Sequence, residues 1–139
     1  MKIADCTLLT FAAKADPRGT LAVVEGDRHV PFAIRRVFYL YGMPAGAERG
    51  GHALRTCQQV LIALSGSLVV TVDDGQERRD IVLSRPDQGL LLPPLIWREM
   101  KRFSAGTVCL VLASTLFDEA DYYREYPAYL AARRDSTGG

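Results

Sequence analysis

Residues 48–55 read Glu48-Arg49-Gly50-Gly51-His52-Ala53-Leu54-Arg55, and a mostly apolar run over residues 57–64 follows them and ends at Ser65-Gly66. The apolar run is typical of a buried strand, because it is short and ends at turn-forming residues. The residues before it place one histidine and two arginines next to that strand. This order predicts a basic, histidine-bearing loop at the mouth of a small β-barrel.

Strand-like segments recur along most of the chain, separated by short turn signals. They are rich in the Val, Ile, Leu and Tyr side chains that suit half-buried pleated surfaces. The other predicted strands are Thr7–Phe11, Thr20–Glu25, Ile34–Tyr41, Ser67–Val72, Arg79–Leu83, Gly89–Leu92, Trp97–Phe103 and Thr107–Ser114. So many short strands predict an all-β protein, either a sandwich or a closed barrel.

The order of histidine-bearing loop, strand and hairpin resembles the first conserved motif of the cupin (jelly-roll) superfamily. The hairpin is indicated by Asp73-Asp74-Gly75, because Asp and Gly tolerate the positive φ of tight turns. We therefore expect a single cupin-like, RmlC-like jelly-roll domain over residues 1–139, with its barrel at about residues 5–116.

A short helical segment is predicted at the C-terminus, over about residues 118–133. Asp118 suits an N-cap, and the acidic residues after it suit the first turn of a helix. Aromatic and apolar residues from Tyr122 to Leu130 recur at helical spacing, and Pro127 is expected to divide the segment.

Composition narrows the class of protein. The 139 residues are 48% hydrophobic and carry 17 basic against 16 acidic side chains, so no overall field favours nucleic acid or an anionic membrane. No apolar run reaches the roughly 20 residues that cross a bilayer, and residues 1–6 lack the apolar core of a secretory signal. The three cysteines are far apart and fit buried, reduced thiols. We expect a cytoplasmic protein.

His52 is the candidate proton carrier, because imidazole titrates nearest to neutral pH. Four arginines and one glutamine are candidates for substrate binding, since the arginine fork matches phosphate oxygens. They are Arg18, Arg49, Arg55, Arg98 and Gln59.

Two aromatic residues have two interpretations each. Tyr39 shares a strand face with Tyr41 and either offers its hydroxyl to a ligand inside the barrel or packs with the hydroxyl at the rim. Trp97 either stacks on a ligand ring or fills the core. We take Tyr39 as a catalytic candidate and Trp97 as a substrate-binding candidate.

Metal binding is not expected. Metal-binding cupins place a second histidine two residues after the first and a glutamate soon after, and this chain has Leu54 and Gln59 near those positions. A transition metal needs about three nitrogen, sulfur or carboxylate ligands from the protein. His52 would be the single one.

Several stretches together resemble the WxcM-like, cupin-fold 3,4-ketoisomerases that act on dTDP-4-keto-6-deoxyglucose. The shared stretches are Asp16–Leu21, Pro31–Tyr39, Arg49–Ala53 with Gln59, Pro94–Met100, Leu112–Ser114 and Asp118–Tyr122. The resemblance runs from about residue 5 to residue 130. It implies a homodimer, often with exchanged N-terminal strands, that needs neither a metal nor an organic cofactor. It also implies a dTDP-linked 4-keto-6-deoxyhexose as substrate and a role in making deoxy- or amino-sugars for polysaccharides or O-antigens.

The reaction implied by the resemblance moves a carbonyl from carbon 4 to carbon 3 of a hexose through an enediol. His52 would act as the base, and Tyr39 and Arg98 would stabilise the oxyanion. The family's motif carries a second histidine where this chain has Leu54, so that role does not transfer. Two alternatives stay open: a non-catalytic relative that binds nucleotide-sugars, and an epimerase acting on the same class of substrate.

Overall fold

The computed structural model describes residues 1–137 and is built mainly from antiparallel strands. The strands are β1 Thr7–Thr10, β2 Ala13–Asp16, β3 Gly19–Ala22, β4 Arg36–Leu40, β5 Arg49–Leu54, β6 Gln59–Ser65, β7 Leu68–Asp73, β8 Arg78–Leu83, β9 Gln88–Leu92, β10 Trp97–Lys101, β11 Val108–Ala113 and β12 Tyr122–Tyr123. One α-helix, α1, runs over Tyr126–Thr137, and two 3-10 turns lie at Ile3–Asp5 and Glu119–Asp121.

Two five-stranded sheets face each other. One has the strand order β1-β9-β6-β11-β4 and the other β12-β5-β10-β7-β8, while β2 and β3 form a separate hairpin. Leu61, Leu90 and Val111 from the first sheet form one buried cluster with Val70 and Met100 from the second. Strand alternation places these residues on the inner faces, and burying them closes the sandwich. The expected cupin-like jelly roll is confirmed.

The structure corrects the prediction of a loop at residues 48–55. Residues 49–54 form β5, which pairs with β10 on one side and with β12 on the other. The two glycines and the charged ends of this stretch hide its strand character, because strand propensity comes from β-branched and aromatic side chains. β2 and the two-residue β12 were also not predicted.

The C-terminal helix starts later than predicted. Asp118 caps only the 3-10 turn, with its carboxylate accepting a hydrogen bond from Ala120 N at 3.0 Å. Tyr122 lies in β12, and α1 begins at Tyr126. Pro127 falls in the first turn of α1, where the missing N–H costs nothing, so it starts the helix instead of dividing it. No helix within residues 1–137 is long and apolar enough to cross a membrane.

Candidate active site

His52 and Arg98 lie side by side on neighbouring strands at one end of the barrel. They are Cα partners in the β5–β10 pairing, and the register shifts immediately after them, between Arg98 and Glu99. Gly50 and Gly51 make this irregularity possible, with φ values of +87° and +64°. A Cβ on Gly50 would lie 3.0 Å from the Arg98 carbonyl oxygen. The glycines therefore let β5 pass close to β10, with the side chains of His52 and Arg98 on one face of the sheet.

Arg98 is a buried cation at the base of the site. Its side chain is 1% exposed, its Nη1 donates to Gln59 Oε1 at 2.8 Å, and its Nε donates to Ile96 O at 3.2 Å. Burial lowers the pKa of the Arg98 guanidinium to about 10, so it stays charged at neutral pH. Within residues 1–137 no carboxylate forms an ion pair with Arg98. Its charge is therefore available to an anionic or carbonyl oxygen.

Two donors next to each other have no acceptor. Arg98 Nη2 and Gln59 Nε2 are buried and have no hydrogen-bond partner among the described residues. An unsatisfied buried polar group costs about 1–3 kcal/mol, and more when it is charged. A bound molecule or an ordered water can supply the acceptor for such a pair. The two N–H groups suit oxygens that gain negative charge during a reaction.

His52 is half-buried and uncharged at neutral pH. Burial, with the positive charge of Arg98 as the second cause, lowers the pKa of the His52 imidazole to about 4. A neutral imidazole can accept a proton, so His52 is present as a base over the whole physiological range. The ring centroid lies 5.1 Å from that of Tyr122, which forms one wall beside it.

Tyr39 does not face the barrel interior. Phe38 and Leu40 are the β4 residues that pack against the core, whereas Tyr39 is 60% exposed and stacks on Tyr41 with ring centroids 5.9 Å apart. Because strand side chains alternate, Tyr39 points away from the side of β4 that faces His52. The interpretation that its hydroxyl reaches a ligand inside its own barrel is wrong.

Trp97 also lies on the other side of its strand from Arg98. Its indole Nε1 donates to Glu99 Oε2 at 2.9 Å, and its ring packs against Tyr126 at 5.2 Å and Tyr129 at 5.6 Å. The ring is 5% exposed and therefore has no free face for a ligand. The structure supports the core interpretation for Trp97 and corrects its assignment to substrate binding. It anchors α1.

The other predicted arginines lie on the surface. Arg49 begins β5 and lines a cavity of about 220 Å³ with Glu48, Gly50, Gly51 and Glu99. Arg55 follows the end of β5, with its guanidinium carbon 4.8 Å from the centre of the Tyr123 ring. Arg18 lies between β2 and β3 and pairs with Asp16 at 2.9 Å. The structure thus brings His52, Arg98 and Gln59 together and leaves Arg18 on the separate hairpin.

Comparisons with known proteins identify relatives of this chain. The family model FdtA, described as WxcM-like, C-terminal, matches residues 4–134. The chain belongs to the WxcM-like FdtA family. It is 40% identical over 119 residues to a TDP-4-oxo-6-deoxy-alpha-D-glucose-3,4-oxoisomerase of Aneurinibacillus thermoaerophilus, and the match covers 86% of each protein.

Solved structures of similar proteins agree with this membership in the FdtA family. A 3,4-ketoisomerase from Helicobacter canadensis matches with a TM-score of 0.92 and 40% identity, covering 94% of this chain and 98% of that one. The 3,4-ketoisomerase QdtA from Thermoanaerobacterium thermosaccharolyticum, in a histidine-to-asparagine variant complexed with TDP-4-keto-6-deoxyglucose, matches with a TM-score of 0.93 and 38% identity. That match covers 95% of this chain and 96% of QdtA.

Two residues of the site were not singled out from the sequence, although both lie in the FdtA-like stretch Asp118–Tyr122. Tyr122 packs on Leu54, Cys57 and Ala113 beside His52. Asp121 is 9% exposed and holds the start of β12 against the barrel through Thr56 and Cys57. Their helical spacing concealed them, since a tyrosine on a predicted helix is read as a packing residue. No group of three or more His, Cys, Asp or Glu within the described part of the chain is placed to hold a metal ion.

Proposed function

We propose that this protein is a 3,4-ketoisomerase that converts a dTDP-linked 4-keto-6-deoxyhexose to its 3-keto isomer. The observation that carries the proposal is the neutral His52 imidazole beside the buried Arg98–Gln59 pair, whose two free N–H groups lack an acceptor. The names of the relatives, which are 3,4-oxo- or ketoisomerases acting on TDP-sugars, support the same reaction.

Isomerisation requires a base and stabilisation of an enediolate. His52 removes the proton from carbon 3, and the electrons of that bond form a double bond to carbon 4 as charge develops on the carbonyl oxygen. Arg98 Nη2 and Gln59 Nε2 supply N–H groups for that oxygen. General base catalysis contributes about 10²–10⁴ in rate, and oxyanion stabilisation by fixed donors contributes about 10²–10³.

The diphosphate would be bound by arginines at the surface. Arg49 and Arg55 stand at the two ends of β5, the strand that carries His52. Their exposed guanidinium groups suit a charged group that stays near solvent while the sugar enters the barrel. In the dimer proposed below, Arg18 from the second copy would join Arg49 and Arg55.

We further propose a homodimer in which N-terminal strands are exchanged. Every residue of β2 and β3 is exposed, and the hairpin pairs with neither five-stranded sheet. β4 is an edge strand whose outward residues Val37 and Tyr39 are 54% and 60% exposed. An apolar edge strand of this kind is open to pairing with another chain. The hairpin of a second copy, carrying Leu21 and Arg18, is the occupant we propose.

The proposed setting is a cytoplasmic pathway that makes deoxy- or amino-sugars for polysaccharides or O-antigens. All three cysteines are buried and free of disulfides, which fits a reducing compartment. A nucleotide-linked ketosugar is also an intermediate that later enzymes can aminate or reduce.

Incubation with dTDP-4-keto-6-deoxyglucose in deuterium oxide tests the reaction. NMR should show loss of the carbon 3 proton signal and growth of a 3-keto product. The matched control is His52→Asn, which keeps a polar side chain but cannot act as the base, and it should bind dTDP while forming no product. Absence of both exchange and product with the unaltered protein would defeat the proposal.

The same experiment separates the two alternatives. Position 54 holds a buried leucine where the family's motif has its second histidine. The absence of that imidazole favours a relative that binds nucleotide-sugars without turnover. Calorimetry showing dTDP binding without conversion would identify that case. Products inverted at a carbon next to the ketone, with the ketone still at carbon 4, would identify an epimerase.

A further inference from the structure

The position opposite Leu54 carries a tyrosine. In the antiparallel pairing of β12 with β5, Tyr122 is the Cα partner of Leu54. Partners in such a pair point to the same face of the sheet, so Tyr122 and Leu54 lie on the face that carries His52. The Tyr122 ring thus lies beside Leu54, the residue that replaces the second histidine of the family's motif.

The Tyr122 ring lies against the imidazole. The two ring centroids are 5.1 Å apart at an interplanar angle of 55°. The hydroxyl makes no hydrogen bond to any described residue, and it is not among the buried atoms that lack partners, so solvent or a ligand reaches it. Tyr122 also lies within electrostatic reach of the Arg98 guanidinium.

The ring is held in place from several sides. Arg124 lies over it, with the guanidinium carbon 4.5 Å from the ring centre, and Phe117 packs beside it at 5.7 Å. The preceding residue, Asp121, accepts hydrogen bonds from Thr56 N at 2.9 Å and from Thr56 Oγ1 at 2.8 Å. A side chain fixed in this way, with a free hydroxyl, is suited to proton transfer.

We propose that the Tyr122 hydroxyl moves the oxygen-bound protons of the isomerisation, the role left open by Leu54. This inference rests on the proposed ketoisomerase function and names a second catalytic residue for it. Tyr122 acts on the two oxygens, while His52 acts on the two carbons.

The protons and electrons balance without a further reactant. His52 takes the proton from carbon 3, the C3–H electrons form the C3=C4 double bond, and the carbonyl π electrons take the Tyr122 proton onto oxygen 4. The tyrosinate then removes the proton from oxygen 3, and the O3–H electrons form the new carbonyl. The C3=C4 electrons take the proton held by His52 onto carbon 4. Both side chains end in their starting forms.

The test compares Tyr122→Phe with Tyr123→Phe. Tyr123 is the other residue of β12, alternates to the opposite face and contacts Arg55, so its variant controls for the loss of a hydroxyl from this strand. Steady-state kinetics with dTDP-4-keto-6-deoxyglucose should show kcat lowered about 100-fold or more in Tyr122→Phe, with KM and dTDP affinity within about twofold of the unaltered protein. Tyr123→Phe should keep kcat within about twofold.

A second pair of variants tests the link to Leu54. Adding Leu54→His to Tyr122→Phe should recover at least about tenfold in kcat, because a second imidazole can again carry a proton. A Tyr122→Phe enzyme as active as the unaltered protein would overturn the inference and leave the ketoisomerase function standing. An unaltered protein that binds dTDP and converts nothing would overturn both. A fall in dTDP affinity equal to the fall in kcat would show a structural role for Tyr122 and also overturn the inference.

Discussion

His52 and Arg98 set each other's environment across a single pair of strands. The buried guanidinium discourages a second positive charge, which keeps the imidazole in its basic form. Because the imidazole is neutral, it does not neutralise the positive charge of the guanidinium. In the proposed reaction, these two neighbouring residues supply the base and the oxyanion donor.

The lowered pKa of His52 predicts an unusual pH profile. The value of kcat/KM should rise as His52 loses its proton near pH 4 and stay level to pH 7, whereas an unperturbed histidine base would give a rise near pH 6.5. NMR titration of His52, with His29→Gln to assign the two histidine signals, would measure this pKa directly. A His52 signal that titrates near 6.5 would contradict the prediction.

The same shift has a consequence for folding stability. Because folding lowers the His52 pKa, its contribution is fully present above the unfolded value near 6.5 and is lost as pH falls towards 4, by about 3 kcal/mol at most. His52→Asn should lack this part of the pH dependence in denaturant unfolding.

Among the described side chains, Gln59 supplies the oxygen that accepts a hydrogen bond from the buried Arg98 guanidinium. Gln59→Leu should lower the free energy of unfolding by about 2–4 kcal/mol, because a buried charge loses a hydrogen-bond acceptor. Gln58→Leu is the matched control, since that side chain is half-buried and the Arg98 hydrogen bonds go to Gln59 and Ile96, and it should change stability by about 0.5 kcal/mol or less. Urea denaturation of the three proteins checks both values, and equal effects would contradict the assignment.

At the scale of elements, β12 closes the edge of the second sheet next to β5. This strand has only two residues, and pairing alone does not hold so short a strand. Asp121 supplies the additional attachment through the backbone N–H groups of Thr56 and Cys57, at 2.9 and 3.2 Å, and the Arg55 N–H donates to the Asp121 carbonyl at 2.7 Å. Asp121 therefore attaches the element that carries Tyr122 through both its carboxylate and its backbone carbonyl.

Asp121→Ala should destabilise the protein by about 2–4 kcal/mol, because three donors lose their acceptor. Asp118→Ala removes a single capping bond in the same segment and should cost about 1 kcal/mol. Hydrogen exchange of the Thr56 and Cys57 amides should rise in the first variant and stay unchanged in the second. Protection that is equal in both variants would rule out the proposed attachment.

At the scale of the whole molecule, two sets of exposed apolar side chains lie on different surfaces. Leu21 on the free hairpin, Val37 and Tyr39 on β4, and Tyr41 just after β4 belong to the surfaces that a second copy would cover. Val82, 61% exposed on β8, belongs to the other sheet. Only the first set combines an exposed edge strand with an unpaired hairpin able to extend it.

Tyr39→Glu should convert the proposed dimer to monomer, because a charge placed in an apolar interface would be buried without a partner. Val82→Glu introduces the same charge on a surface outside the proposed interface and should leave the mass unchanged. Light scattering coupled to gel filtration distinguishes the two results. A Tyr39→Glu protein with the mass of the unaltered one would contradict this interface.

Local patterns determined the architecture and the main catalytic candidate. Short apolar runs separated by Gly, Pro and Asp turns predicted the all-β barrel, because strand formation and turn geometry are properties of a few adjacent residues. The rarity of histidine and its position among arginines and glycines singled out His52. Gln59 and Arg98 were also found, since both lie in recognisable stretches.

Only the tertiary structure decided which side chains share the site. Tyr39 and Tyr122 are both tyrosines in strands, and the direction of each depends on strand register, which distant residues fix through pairing and burial. Trp97 and Arg98 are adjacent in sequence, yet strand alternation sends one under α1 and the other into the barrel. Register, bulges and contacts between strands far apart in the chain set these directions, and no short stretch of sequence contains them.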